Sequence, residues 1–512
     1  GYNSFMARLE MKAATESATG MVPYEWQLDV AECLILRVNS IVIAGTSAGK
    51  TLPFVMPLFL KETKGKMVII ISPLIALQHD QERKFLEMGL KVKAINRVTL
   101  SKDPGVFKSV RKDGVQVLLM SPEVALNNDE FLKLLDTPSF ADDILAFEID
   151  ECHCILEWGE SFRTCYADLA KLRAHVPLGV PMLATSATLT PVGIELVARS
   201  LHFDLSATFL LNLGNDRPNI TPSIRFIKSE ADLSSLDFVL SGGKTDTTEG
   251  LVKTIVFANE RQLTLAVCQY LRDRLPEAQY DAIDYFNALR TPYAKKKVIN
   301  AFRQGEIRVM VASDAFSLGN DDPNVGRVVQ FGVPDSLTVW HQRAGRAGRS
   351  PAIQAEAIML VQSSVVQTVK QTAKSNAAKR KKDNPKPVPK ADLESVNYRR
   401  KVEPALREYI TSTDCRRDTI DTYFDNPPAL VKWRVEVKER EPYKSCCFTA
   451  DGILPDDVLE KLAGLVRVRS IGELVSEAPM WMFARELGAE LLEILKRVDN
   501  EEKERKEKNK KR

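Results

Sequence analysis

Residues 44–51 read Ala44-Gly45-Thr46-Ser47-Ala48-Gly49-Lys50-Thr51, directly after the apolar run Ser40-Ile41-Val42-Ile43. A strand ending in such a turn aims the backbone N–H groups of the next helix start at one point, which suits a phosphate. Thr46, Ser47, Ala48 and Gly49 would form the cradle, Lys50 would neutralise the outer phosphates, and the Thr51 hydroxyl would take a place on Mg²⁺. The simplest form of this loop has Gly where Ala44 stands. Farther along, Ile144-Leu145-Ala146-Phe147 leads into Ile149-Asp150-Glu151. An apolar run ending in two carboxylates supplies what phosphoryl transfer to water requires: Asp150 to hold the metal and Glu151 to orient the attacking water. Together the two segments imply binding and hydrolysis of ATP with Mg²⁺.

These groups need strand ends to hold them. Apolar runs at residues 67–72, 116–121, 144–150 and 181–185 alternate with helical stretches, each ending in small or polar residues. Such alternation predicts a parallel sheet with helices on both faces and the chemistry at the strand C-terminal ends. After Ser241-Gly242-Gly243-Lys244-Thr245-Asp246, runs at 254–258, 282–286, 308–312, 327–331 and 355–361 repeat the pattern. The expected fold is α/β, with two tandem doubly wound parallel-sheet lobes over residues 1–220 and 221–365 and a small, mostly helical C-terminal region. Residues 366–395, with Lys379-Arg380-Lys381-Lys382 and Pro385-Lys386-Pro387, read as a basic, extended linker. Residues 453–512 carry helical periodicity at Leu487, Leu491, Leu492 and Leu495 and end in a charged tail.

At 512 residues, 44% hydrophobic and 27% charged, the chain has room for several domains and the residue usage of a globular enzyme. With a net charge of only +3, any nucleic-acid site must come from local basic clusters. No apolar run approaches the roughly 20 residues that span a bilayer, so no membrane partner is expected. The opening Gly1-Tyr2-Asn3-Ser4 lacks the layout of a signal peptide, and Gly1 in place of Met suggests a piece of a longer protein. Eight scattered cysteines fit a reducing compartment, nuclear in a eukaryote and otherwise cytoplasmic.

With both lobes in view, the motif order resembles a superfamily 2 helicase of the DExH type, and the finer residues resemble the RecQ family over roughly residues 20–365. Gln27 stands where that family reads adenine. Ser72-Pro73-Leu74-Ile75-Ala76-Leu77-Gln78-His79-Asp80-Gln81, Ser121-Pro122-Glu123 and Thr185-Ser186-Ala187-Thr188 are similar to successive family blocks. Asp216-Arg217-Pro218-Asn219-Ile220 matches the passage into the second lobe. Val311-Ala312-Ser313-Asp314-Ala315-Phe316-Ser317-Leu318-Gly319 and Gln342-Arg343-Ala344-Gly345-Arg346-Ala347-Gly348-Arg349 resemble the last two motifs. The resemblance implies RecA-like lobes and catalytic Gln342, Arg346 and Arg349, the last as an arginine finger. It also implies 3′ to 5′ translocation with duplex unwinding, and DNA as partner, both single-stranded and as tailed duplex.

The stretch His153-Cys154-Ile155-Leu156-Glu157-Trp158-Gly159-Glu160-Ser161-Phe162-Arg163 looks like the aromatic-rich loop with which RecQ helicases sense single-stranded DNA. Trp158 and Phe162 offer flat faces for bases, and Arg163 a planar cation. Core packing is the other reading of the two aromatics, and Glu157 and Glu160 depart from the polar pair usual in the family. Residues 396–452, with Asp414-Cys415-Arg416-Arg417 and Ser445-Cys446-Cys447, are similar to the RecQ zinc module. Tetrahedral zinc takes four ligands. Cys415, Cys446 and Cys447, with Asp414 or Asp451 as a fourth, leave two readings open: a zinc site, or a zinc-free remnant held by packing. Three other functions compete: a translocase that does not unwind, an RNA-directed helicase, and a hydrolysis-dead DNA-binding scaffold. The aromatic loop argues against RNA, and intact Lys50, Glu151, Gln342 and Arg349 argue against the scaffold. Protein partners are not legible in the sequence.

Overall fold

The computed structural model describes residues 2–46, 48–157, 164–241, 250–316, 322–350, 352–368, 398–413, 415–440, 442–446, 450–455, 458–459, 462, 470–478 and 481–497. Ser47, Trp158, Phe162, Arg163, Asp414, Cys447 and most of the basic linker lie outside them. The chain divides into two compact units, Gly1–Asp216 with Ile420–Arg512, and Arg217–Thr419.

The first unit holds seven parallel strands: β1 Ser40–Ile43, β2 Met67–Ile71, β3 Val92–Ile95, β4 Val117–Met120, β5 Ile144–Ile149, β6 Met182–Ser186 and β7 Phe209–Asn212. Their order is β3-β4-β2-β5-β6-β1-β7. Strands β2 and β4 are apolar at every position because both faces are covered. Side chains alternate across the sheet, so Ile41, Ile43, Ile69 and Ile71 enter one apolar cluster while Val42, Val68 and Ile70 enter the other. Register sets Ile43 of β1 opposite Ser186 of β6, and Ile149 of β5 opposite Ala184 of β6. The ends of β1, β6 and β5 are thereby brought side by side.

Helix Glu25–Ile35 buries Trp26, Val30 and Leu34 against this sheet. Helix Ser4–Thr19 is pinned to it through Arg8, which reaches Glu25, Asp29 and Glu32 at 2.9, 2.5 and 3.1 Å. The downstream part of this unit has an apolar cluster of its own, including Trp433, Val437, Ile453, Leu474 and Leu491. Trp433 and Trp481 meet edge to face at 6.3 Å, and the Trp481 indole N–H donates to the Ile453 carbonyl at 2.6 Å.

The second unit holds six parallel strands: β8 Ile220–Ile227, β9 Thr254–Ala258, β10 Ile283–Phe286, β11 Val309–Ala312, β12 Arg327–Phe331 and β13 Ala355–Gln362, ordered β10-β11-β9-β12-β13-β8. Helix Leu337–Ala344 follows β12, and Trp340 on it meets Tyr409 of helix Pro404–Thr411 at 6.5 Å. Both α/β lobes and the helical C-terminal region are as the sequence leads one to expect. Three strands fall outside its apolar runs, β3, β7 and β8, and each lies at a sheet edge. No helix among the described residues is long and apolar enough to cross a membrane.

Candidate functional site

The chain leaves β1 into the loop of residues 44–51. Gly49 has a φ of +87°, a conformation that favours glycine, and a Cβ there would fall 2.7 Å from Gln27 Nε2 and displace that amide. Gln27 is only 2% exposed. Its Nε2 donates to the Gly49 carbonyl at 2.9 Å, and its Oε1 accepts the Tyr24 N–H at 2.9 Å. The residue expected to read adenine therefore also ties the loop to the start of helix Glu25–Ile35. These bonds use half of what a side-chain amide can donate and accept. Lys50 Nζ donates to the carbonyls of Ala44 and Gly45 at 2.7 and 3.2 Å, folded over its own loop. Thr46, Ala48 and Thr51 are half-buried, and the Thr51 side chain makes no capping bond to helix Leu52–Val55.

At the end of β5, Asp150 is nearly buried and fully engaged. Gln81 Nε2 donates to one carboxylate oxygen at 2.8 Å; the Thr185 hydroxyl and the Glu151 N–H donate to the other at 3.2 and 2.9 Å. Burial, then the Glu151 charge, pushes this carboxyl up to about 6, with Lys50 and Gln81 pulling it down. A desolvated carboxylate beside a second one is a place that a divalent cation relieves, so the residues fit Mg²⁺ on a bound phosphate. Glu151 itself has a φ of +51°. That conformation is costly for a side chain of this size, and such strain gathers at functional sites. Its carboxylate lies 3.2 Å from His153 Nδ1, which is 2.9 Å from the Ser186 hydroxyl. Thr185 and Ser186 thus link the end of β6 to both members of the acidic pair.

Gln81, Thr185 and His153 hold the two carboxylates without any local mark of that role in the sequence. Gln81 and Thr185 stand inside the resembling blocks, but nothing in their spacing shows that they converge on Asp150. Tyr166 is another addition: its hydroxyl donates to the Asp150 carbonyl at 3.2 Å. It follows the segment of Trp158, Phe162 and Arg163, which lies outside the described residues.

In the second unit, Gln342 and Arg343 lie on helix Leu337–Ala344, whose first amide donates to Glu403 at 2.6 Å. Arg343 is an internal brace, 2% exposed and bonded to Asp314, Gln330 and Asn259. Arg346 is buried, and Arg349 half-buried, in the turn that follows. Gly348 in that turn has a φ of +52°, and its carbonyl accepts from Asn219 Nδ2 at 2.7 Å and from Arg217. Residues read as the passage between lobes therefore hold the turn between the two arginines.

The zinc residues stand apart in description. Cys415 belongs to the second unit and Cys446 to the first, both exposed, with Cys447 and Asp414 outside the described residues. Among the described residues, no three His, Cys, Asp or Glu side chains gather as a metal-ligand group.

Comparison with known proteins follows the same lines. Residues 24–196 match the DEAD/DEAH box helicase family, and residues 243–351 the helicase conserved C-terminal domain. The chain is 28% identical over 334 residues to the ATP-dependent DNA helicase RecQ of Pasteurella multocida, covering 65% of this chain and 49% of that protein. It is 26% identical over 425 residues to the bifunctional 3′-5′ exonuclease/ATP-dependent helicase WRN of Mus musculus, covering 83% of this chain and 28% of that protein. The chain thus spans half or less of the length of these relatives. Among solved structures, the DUF1998 helicase MrfA bound to DNA and AMPPNP shares the fold, with a TM-score of 0.55 at 20% identity over 70% of this chain and 50% of that one.

Proposed function

We propose that the chain, which is similar to RecQ-like helicases of superfamily 2, hydrolyses ATP with Mg²⁺ and couples hydrolysis to 3′ to 5′ movement on single-stranded DNA and opening of tailed duplexes. The observation that carries this reading is the setting of Asp150, a buried carboxylate fixed by Gln81 and Thr185 beside a strained Glu151. Asp150 and Thr51 would hold Mg²⁺, which supplies positive charge for the phosphate oxygens. Lys50 exchanges its two loop carbonyls for phosphate oxygens. Glu151, steadied by His153, orients the attacking water and accepts its proton. Arg346 and Arg349 provide cations for the charge of a loose transition state. The bond from Tyr166 to the Asp150 carbonyl supports a link between the neighbouring aromatic segment and the hydrolytic pair.

The test is the ATPase rate without polymer, with single-stranded DNA and with RNA, followed by unwinding of 3′- and 5′-tailed duplexes. DNA is expected to stimulate more than RNA, and the 3′-tailed duplex alone to open. Stronger stimulation by RNA overturns the DNA reading. Stimulated hydrolysis without strand separation leaves a translocase.

A further inference from the structure

The first amides of a helix have no partner within it. In helix Glu25–Ile35 the Glu25 amide is satisfied from far downstream: it donates to Glu439 Oε1 at 2.8 Å. Glu439 follows helix Ala429–Lys438, and its other oxygen lies 3.9 Å from Lys444 Nζ, which stands 5.9 Å from the Tyr24 ring centroid. The same segment is anchored upstream. Asn426 Nδ2 donates to Asn215 Oδ1 at 2.9 Å, Asn426 Oδ1 accepts the Asn215 N–H at 3.2 Å, and Asn215 Nδ2 donates to the Ala187 carbonyl at 3.2 Å. Residues 426–439 therefore hold on just beyond β7, at Asn215, and at the start of the helix whose Gln27 holds Gly49. A carboxylate at a helix N-terminus is favourable through both its hydrogen bond and the helix dipole.

We propose that Glu439 is a positioning residue for the nucleotide: by capping helix Glu25–Ile35 it sets Tyr24 and Gln27 against the phosphate loop, so the downstream helical segment governs ATP affinity. This rests on the ATP reading above. The experiment measures KM and kcat for ATP, and Kd for a fluorescent ATP analogue, on the full chain and on Glu439→Ala, Glu439→Gln and Glu490→Ala. Glu439→Ala should raise KM and Kd by about three- to tenfold with kcat nearly unchanged. Glu439→Gln, whose amide oxygen still accepts, should fall between it and the parent, and answers for Glu439→Ala should that variant fold poorly. Glu490 bonds Arg440 and Trp433 within the same helical cluster, so Glu490→Ala loosens that cluster without touching the cap and should keep the parental values. Parental affinity in both Glu439 variants overturns the proposal, as does an equal loss in Glu490→Ala. A parent chain that binds no ATP overturns the ATP reading and the proposal with it, and its own Kd distinguishes that case.

Discussion

Asn219 donates to the carbonyl oxygen of Gly348 at 2.7 Å and, from the same nitrogen, to that of Ile353 at 2.9 Å, closing the turn that separates Arg346 from Arg349. Asn219 is nearly buried, so Asn219→Ala takes a donor from the Ile353 carbonyl and leaves the Gly348 carbonyl to Arg217 alone, and should cost about 1–3 kcal/mol of stability. Asn219→Asp should be worse than alanine, because a carboxylate facing carbonyl oxygens accepts and cannot donate. Urea unfolding gives the stability order, and the ATPase rate of the same samples shows whether Arg349 has lost its place. Parental stability in the alanine variant would remove the clamp.

Legibility followed the covering of the strands. The runs that become β2, β5 and β9 are apolar at nearly every position because both their faces are packed, and they stand out in the sequence. Three of the four edge strands do not. β3 contains Lys93, β7 ends at Asn212, and β8 carries Pro222, Ser223 and Arg225 on a strand only partly covered. The loop of Lys50 and the Asp150-Glu151 pair were legible because their chemistry is local. Gln81, Thr185 and Asn219 were not, because each acts on a residue 35 to 129 positions away, which only the sheet order brings near.

Hydrolysis should depend on single charges. Glu151→Gln should abolish turnover and still bind ATP, since it removes a proton acceptor and leaves the phosphate loop intact. Lys50→Ala should lose both. Arg349→Ala should lower kcat on the order of 10³-fold through lost transition-state charge. Single-turnover hydrolysis with parallel nucleotide binding separates these outcomes, and near-parental turnover in Glu151→Gln would refute its role with water.

Gln27 has two tasks that nucleotide choice can separate. Its amide holds the Gly49 carbonyl whatever base is bound, while base reading concerns adenine alone. Gln27→Ala should therefore weaken both ATP and GTP, and ATP more. Equal losses in a titration of the two nucleotides would leave only the loop-holding task; an unchanged GTP affinity would leave only base reading.

Glu148 is the least expected group near the site. On β5 it shares a face with Asp150, it is fully buried, and neither of its carboxylate oxygens has a hydrogen-bond partner among the described residues. Burial, then the Asp150 charge, holds its pKa well above the usual 4.5, so the folded chain prefers the neutral acid. For an acid whose folded pKa is raised, stability is fully present below the unfolded pKa and is lost as pH rises toward the folded one. Asp150 adds a second loss between about 3.8 and about 6. The melting temperature should thus fall as pH is raised from 4 to 8. Glu148→Gln, which carries no charge at any of these values, should flatten the part of that fall above pH 6, where Asp150 is already ionised. Glu148→Val, similar in volume and apolar, should stabilise the chain at pH 8 by about 1–3 kcal/mol, the cost of an unpartnered buried polar group. Thermal unfolding of the three proteins across this pH range is the check. A valine variant less stable than the parent at pH 8 would mean that the carboxyl is satisfied in solution and belongs to the site's working parts.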